Sequence, residues 1–314
     1  MKRFWIVIAV AAIAAAAFSA WGIAATVELS GPAHVAAKPK PKPKAKRPKL
    51  PPLPSSVKAR KRWEIGVKCD FPPFGFIDVR GNNGGYDVQI ARRFAQLAFG
   101  SKKKVALTCV TTPSRIPTLQ SGRVDIIIST LTWTAARAQV IDYSIPYYSA
   151  TGRLLVPNNS PIHSVRDLGG KTIVTTRGAL YATWTRNCFK SSKLSEVDSP
   201  SAAVLAVTNG TADTFMFDDA FLLGVATQNR ELKLTSDKFL NIPWGIGIRK
   251  GDTVTAKWVN AAIRYMKKRD EFAKILRANA PASLVPSFID NVPRPKNTFA
   301  YPVGTDPTSD CSSK

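Results

Sequence analysis

Residues 114–148, SRIPTLQSGRVDIIISTLTWTAARAQVIDYSIPYY, constrain the fold more than any other part of the chain. Gly122 punctuates the end of a helix, and Val124-Asp125-Ile126-Ile127-Ile128 is a short apolar run of the kind buried strands use. A polar tip follows it: Ser129, Thr130, Thr132 and Thr134, and then Arg137. Open α/β sheets bind ligands at the C-terminal ends of their strands. Hydroxyls, backbone N–H groups and a forked guanidinium suit a carboxylate, which arginine grips bidentately. The segment therefore reads as a carboxylate receptor on an α/β sheet.

Strand and helix patterns alternate on both sides of it. Residues 65–69 read as a first strand running into the aromatic loop Phe71-Pro72-Pro73-Phe74-Gly75-Phe76. Residues 81–85 form a turn-rich connection, and Asp87 is a suitable N-cap for a helix with Ile90, Phe94 and Leu97 on one face. Residues 105–110, a helix over 115–121 and a strand over 125–129 continue the alternation. A second unit follows: a strand at 171–175, helices at 179–189 and 201–208, and a strand at 214–217 that ends before Asp218-Asp219. Amphipathic helices close the pattern at 254–264 and 271–278. Such alternation argues for parallel α/β sheets, and a body of about 250 residues suits two lobes.

The N-terminal part has a different composition. Lys2 and Arg3 precede a mostly apolar run over residues 4–25, the layout of an export signal. Its length also matches the roughly 20 residues of a membrane span. Residues 1–30 are thus either a cleaved signal, with Ala17-Phe18-Ser19 and Gly22-Ile23-Ala24 as small-residue sites, or an N-terminal membrane anchor. KPKPKPKAKRPKLPPLP at 38–54 is low-complexity, and residues 31–62 read as a disordered, extended Lys/Pro-rich spacer. Residues 1–62 hold 13 basic residues and one acid, half of the formal net charge of +24. Because this block follows an export signal, nucleic acid is excluded as its partner. The cytoplasmic membrane or an anionic envelope polymer is expected instead. The protein is expected outside the cytoplasm, at the outer face of the cytoplasmic membrane or in the periplasm or cell wall.

Four cysteines in an exported chain, Cys69, Cys109, Cys188 and Cys311, permit three pairings. Cys69 and Cys109 fall near the ends of two strands expected to be parallel neighbours, and Cys188 at a helix end is placed to pin the tail that carries Cys311. That favours Cys69–Cys109 with Cys188–Cys311. None of the four has metal-ligand spacing, and His34 and His163 sit in the spacer and a polar loop. No metal and no cofactor are expected.

Residues 116–148 also resemble, nearly position for position, a signature of the polar amino-acid solute-binding proteins of ABC importers. Their earlier signature is matched by Ile65-Gly66-Val67-Lys68, Phe71-Pro72-Pro73-Phe74 and Gly85-Tyr86-Asp87-Val88-Gln89. The resemblance implies a two-lobed type II periplasmic-binding-protein fold. Each lobe would be a mainly parallel sheet flanked by helices, joined by hinge crossings near 150–156 and 243–248. Lobe 1 would comprise 63–150 plus 245–290 and lobe 2 151–244, with 291–314 as a tail.

The resemblance further implies roles. Arg137, helped by Thr132 and the hydroxyl-rich tip around Thr130, would grip the α-carboxylate of an amino acid. Asp218 would take the α-ammonium, Phe71 would pack over the ligand stem, and the Arg177-Gly178-Ala179 loop would offer backbone N–H groups. Lys68 stands where relatives for basic or amide ligands carry an acid, and Arg115 resembles an arginine of acidic-ligand binders. Glutamate or aspartate is the expected ligand, an ABC permease the expected partner, and no catalytic residue is expected. Gln89 in place of a second acid and Ala135-Ala136 in place of Pro-Glu depart from the pattern outside the pocket, and the loop at Gly178 lacks a frequent Gly-Thr pair. Two alternatives remain, a tethered amino-acid sensor and a cyclohexadienyl-dehydratase-like enzyme. The latter needs a general acid that the motifs do not supply beyond Asp218 and Asp219.

Overall fold

A computed structural model describes residues 48–302 and 304–312. Lobe 1 begins with helix α1 (Ser55–Arg60) and strand β1 (Trp63–Lys68). Three short strands, β2 (Asp70–Phe71), β3 (Gly75–Ile77) and β4 (Asn83–Gly84), form a separate antiparallel sheet. Then come α2 (Tyr86–Phe99), β5 (Val105–Val110), α3 (Arg115–Gln120), β6 (Ile126–Thr132), α4 (Ala135–Val140) and β7 (Ile141–Tyr143). Strand β8 (Tyr148–Pro157) leads into lobe 2, which holds β9 (Thr172–Thr176), α5 (Leu180–Cys188), β10 (Lys193–Val197), α6 (Pro200–Thr208), β11 (Thr214–Asp218), α7 (Asp219–Gln228) and β12 (Leu232–Leu234). Strand β13 (Phe239–Arg249) returns, and α8 (Thr253–Lys268), α9 (Glu271–Asn279) and α10 (Val285–Phe288) pack back on lobe 1.

The parallel strands expected in each lobe are joined through the two crossings into one continuous sheet. Its order is β10-β9-β11-β8-β13-β6-β1-β5, with β12 added on β8 and β7 on β13. At its two ends the pairs are parallel, β10–β9–β11 and β6–β1–β5. In the middle β8 and β13 run antiparallel to each other and to their neighbours. The reason is length. Strands of ten and eleven residues reach about 33–36 Å at about 3.3 Å per residue, enough to cross from one lobe to the other. The hinge crossings are thus the sheet's central strands.

Burial explains the sequence patterns. β6 and β11 are buried along their whole length, with helices on both faces, and read as near-continuous apolar runs. Helix α2 buries Ile90, Ala91, Phe94 and Leu97, while Trp63 at the start of β1 packs 5.0 Å from Trp258 of α8. β6 extends to Thr132 rather than stopping at 129, because Leu131 and Thr132 pair with Gly245 and Trp244 of β13.

The spacer is shorter than expected. Val57 of α1 is fully buried, Leu50 and Leu53 pack on the core, and Arg60 Nη2 contacts both Asp125 carboxylate oxygens at 2.6 and 2.7 Å. The apolar residues at 50, 53 and 57 recur at helix-like spacing and tie this segment to the body, so residues 48–62 belong to the folded unit. Residues 4–25 lie outside the described residues, among which no helix is long and apolar enough to cross a membrane. Both disulfides form, Cys69–Cys109 and Cys188–Cys311, with Cα–Cα distances of 5.4 and 5.3 Å. The first follows from the β1–β5 register, which sets Val67 against Cys109.

Candidate functional site

The C-terminal ends of β5 and β6 in lobe 1 face β11 and the start of α5 in lobe 2. Between them lies a small, nearly closed cavity, lined from lobe 1 by Thr112, Arg115, Thr130, Thr132 and Arg137. Lobe 2 contributes Ala179, Leu180, Tyr181, Phe217 and Asp218.

Two guanidinium groups dominate the lobe 1 wall. Arg137 lies in α4, whose N-cap Thr134 accepts from the Arg137 backbone N–H. Its Nη1 donates to the Thr132 carbonyl at 2.6 Å and its Nη2 to the Gly178 carbonyl at 2.8 Å. The second bond crosses to lobe 2. It meets a loop that Gly178 turns with a φ of +75°, a left-handed conformation suited to glycine. Arg115, from α3, is almost fully buried, and its Nη1 donates to the carbonyls of Ser129 and Thr130 at 2.7 and 3.1 Å. Its Nε has no hydrogen-bond partner among the described residues. Burial lowers the Arg115 pKa to about 10, with the nearby Arg137 acting in the same direction. A buried cation beside a half-buried one calls for an anion.

Thr130 gives this wall its shape. Its φ is +49°, an unusual conformation for a β-branched residue that costs on the order of 1–3 kcal/mol. Asp87 Oδ2 and the Tyr147 hydroxyl hold its N–H at 3.2 and 2.9 Å. The turn aims the Thr130 carbonyl at Arg115. Asp87 is therefore not the N-cap of α2. Gly85 takes that position, because the Asp87 side chain is buried against β6. Burial pushes the Asp87 pKa up to about 7, against the lowering effect of Tyr147, Thr130, Lys68 and Arg115.

Opposite stands Asp218, the last residue of β11. Its Oδ1 accepts a 2.7 Å hydrogen bond from the Tyr181 hydroxyl. Burial pushes its pKa up to about 7; Asp219 adds to this, while Tyr181, Arg115 and Arg137 oppose it. Asp219 turns away, and its Oδ1 accepts from the Thr151 backbone N–H at 3.3 Å. The cavity thus combines two cations, one carboxyl, and hydroxyls from Thr112, Thr130, Thr132 and Tyr181. That set matches a small zwitterion.

Three expected residues are not on the cavity wall. Lys68 is fully buried, but its Nζ sits 2.7 Å from Asp70 Oδ1 and donates to Thr112 Oγ1 at 2.8 Å. Burial lowers its pKa to about 8, opposed first by Asp70. Its charge is already matched by an acid the motif comparison passed over. Phe71 is buried in an aromatic cluster with Phe74, Phe217, Phe221 and Trp244. It touches lobe 2 through that cluster and contacts the cavity wall only through Phe217. The Arg177 side chain points outward to Asp198 at 2.8 Å, so its loop reaches the site through backbone and Ala179 alone.

Sequence reasoning missed Thr112, Leu180, Tyr181 and Phe217. Thr112 carried a usable signal, since it follows β5 at the same end of the sheet as the Ser129–Thr134 tip. Tyr181 carried none, because only the packing of α5 on β11 turns its hydroxyl to Asp218. Among the described residues no group of three or more His, Cys, Asp or Glu side chains is placed to hold a metal ion.

Comparison with known proteins agrees with this fold. The model of the bacterial extracellular solute-binding proteins, family 3, matches residues 64–279. The ABC transporter glutamine-binding protein GlnH of Bacillus subtilis is 32% identical over 71% of this chain and 82% of its own length. A glutamine-binding protein of Geobacillus stearothermophilus is 34% identical over 62% of this chain and 75% of its own. Among solved structures, the solute receptor for L-cysteine of Neisseria gonorrhoeae superposes with a TM-score of 0.69 at 27% identity, covering 71% of this chain and 92% of that one.

Proposed function

We propose that this chain, which belongs to the bacterial extracellular solute-binding proteins of family 3, captures one amino acid between its lobes for an ABC importer, and that the amino acid is glutamate or aspartate. Glutamine binding is what the names of both relatives report of those proteins, and the name of the Bacillus subtilis one adds an ABC transporter. In this reading Arg137 with Thr132 takes the α-carboxylate and Asp218 the α-ammonium. Those two contacts balance each other's charge.

The observation that carries the acidic preference is Arg115. It reaches the cavity, its hydrogen-bond partners are carbonyl oxygens and not a carboxylate, and its Nε is unsatisfied. Once the zwitterion has matched Arg137 and Asp218, one cation is left facing the solute's side chain. A side-chain carboxylate answers it with a charge-assisted contact; an amide answers it only with a neutral oxygen. Lys68, matched by Asp70, supplies background potential and no direct contact. Outside the described residues, the Lys/Pro-rich N-terminal segment is proposed to hold the body near the membrane or an anionic envelope polymer.

Calorimetry on protein stripped of solute tests this, with glutamate, aspartate, glutamine, asparagine, arginine and cystine as titrants. Glutamate or aspartate is expected to bind at least about tenfold more tightly than its amide, a gap of about 1.4 kcal/mol. Glutamine or arginine outcompeting both acids would overturn the acidic assignment and leave the capture of an amino acid intact.

A further inference from the structure

The matched family segment ends at residue 279, and the chain beyond it returns to the site from outside. It first follows lobe 1. The Tyr301 hydroxyl donates to the Ser144 carbonyl at 2.6 Å, and its ring stacks on Trp133 at 6.1 Å. Gly245 of β13 makes room for it, since a Cβ there would collide with the Tyr301 hydroxyl. Asp306 then uses both carboxylate oxygens. Oδ2 accepts the backbone N–H of Ala135, the first residue of α4, at 2.7 Å. Oδ1 accepts from Thr308 N and Oγ1 at 2.8 and 2.7 Å, which fixes the turn that follows.

Two residues later the chain is on lobe 2. The Thr308 carbonyl accepts from Asn187 Nδ2 at 2.8 Å, the Asp310 carbonyl accepts from Trp184 Nε1 at 2.7 Å, and Cys311 is bonded to Cys188. Asn187, Trp184 and Cys188 all belong to α5. The tail therefore joins α4, which carries Arg137, to α5, which carries Leu180 and Tyr181. These are the two helices that flank the cavity from opposite lobes.

We propose that residues 304–311 are a clasp, covalently fixed to lobe 2 and hydrogen-bonded through Asp306 to lobe 1, that restricts lobe opening and slows release of the solute captured in the proposed function. The covalent end matters most. It keeps Asp306 within a short tether of Ala135 even when the contact is broken, so re-forming it is an intramolecular event at high effective concentration. Five residues from Asp306 to Cys311 span at most about 17 Å when extended, so wide opening requires the Asp306–Ala135 bond to break. Asp306 is also a positioning residue. Its carboxylate satisfies an otherwise open N–H at the start of the helix that presents Arg137.

The experiment compares the full-length chain with Asp306→Ala, Asp306→Asn and the double variant Cys188→Ser/Cys311→Ser. Small-angle scattering of the solute-free proteins reads lobe opening, and stopped-flow tryptophan fluorescence with glutamate reads release. Asp306→Ala and the double variant are expected to show a larger radius of gyration and release about tenfold faster, the loss of one charge-assisted contact, with association little changed. Asp306→Asn keeps one acceptor oxygen and should recover part of the difference. Scattering and release equal to the wild type in variants that melt cooperatively would overturn the clasp. Should the double variant fail to fold, Asp306→Ala, which leaves both disulfides in place, decides it. The scattering arm needs no solute, so failure of glutamate to bind the wild type would count against the assigned solute while the clasp was still being judged.

Discussion

The two walls of the cavity are built on different principles. The lobe 1 wall is rigid and cationic: Arg115 is clamped by the carbonyls of Ser129 and Thr130, and Thr130 is held in a left-handed turn by Asp87 and Tyr147. These contacts are all made within lobe 1, and they leave Arg115 Nε unsatisfied. The lobe 2 wall offers one carboxyl, a tyrosine hydroxyl and the apolar surface of Leu180 and Phe217. Asp218 there has its pKa pushed up to about 7, so its charge is only half committed until a cation arrives. The contrast teaches a division of labour. On the proposed reading, lobe 1 sets which charge is accepted and lobe 2 completes the site as the cleft closes.

The first way to break that comparison is to remove the shared anchor. Arg137→Ala deletes the guanidinium proposed for the α-carboxylate together with its bond to the Gly178 carbonyl. Loss of a buried charged contact costs about 3–4 kcal/mol, roughly 150- to 900-fold in Kd. Every amino acid should be affected alike, because all carry the α-carboxylate. Calorimetry that still found micromolar binding to Arg137→Ala would move the anchor elsewhere.

Arg115→Met separates charge selection from general binding. On the proposed reading glutamate weakens about 30-fold, while glutamine changes by less than about threefold, so the preference collapses. Equal losses for both ligands would mean that Arg115 shapes the tip through the Ser129 and Thr130 carbonyls without facing the side chain.

For lobe 2 the lever is pH. The folded pKa of Asp218 lies above its ordinary value of 3.8, so its contribution to the stability of the solute-free protein is full below about pH 4 and is lost as pH rises through about 7. Asp87 acts in the same direction. Solute binding runs the opposite way, because an ammonium needs the ionised carboxylate. Affinity should fall below about pH 7, approaching about tenfold per pH unit. Asp218→Asn should bind about tenfold more weakly at pH 8 and lose most of that slope. A wild-type affinity constant from pH 8 to pH 5 would remove Asp218 from the ammonium site.

How far the sequence could be read follows the same division. The lobe 1 wall is local: Arg115, Thr130, Thr132 and Arg137 lie within 23 residues around one strand, where period and polarity exposed the last three and the family resemblance pointed to Arg115. Asp218 was visible at the end of an apolar strand, and the resemblance pointed to its role. What escaped depended on long-range partners. Lys68 looked free until Asp70 was seen 2.7 Å away, and Asp87 looked like a helix cap until β6 buried it. Phe71 looked like a ligand platform, but four other aromatic rings enclose it. The single mixed sheet was hidden because alternation reveals parallel units and says nothing of two long antiparallel strands between them.

The smallest expected effect on binding is the most discriminating for lobe 1. Lys68, behind the cavity wall, and Arg115, on it, are both buried cations of lobe 1, yet only Lys68 has an acid at 2.7 Å. A matched pair projects little field on a solute, so Lys68→Met should change the glutamate-to-glutamine ratio by less than about threefold, under about 0.7 kcal/mol. Its cost falls on folding. Asp70 loses its counter-charge in a mostly buried setting, which lowers stability on the order of 3 kcal/mol. The double variant Lys68→Met/Asp70→Leu should recover much of that loss, because replacing both partners with apolar groups leaves no stranded charge. Thermal melts and calorimetry on the same samples check both halves. A Lys68→Met protein that melts normally but no longer distinguishes glutamate from glutamine would transfer the selecting role from Arg115 to Lys68.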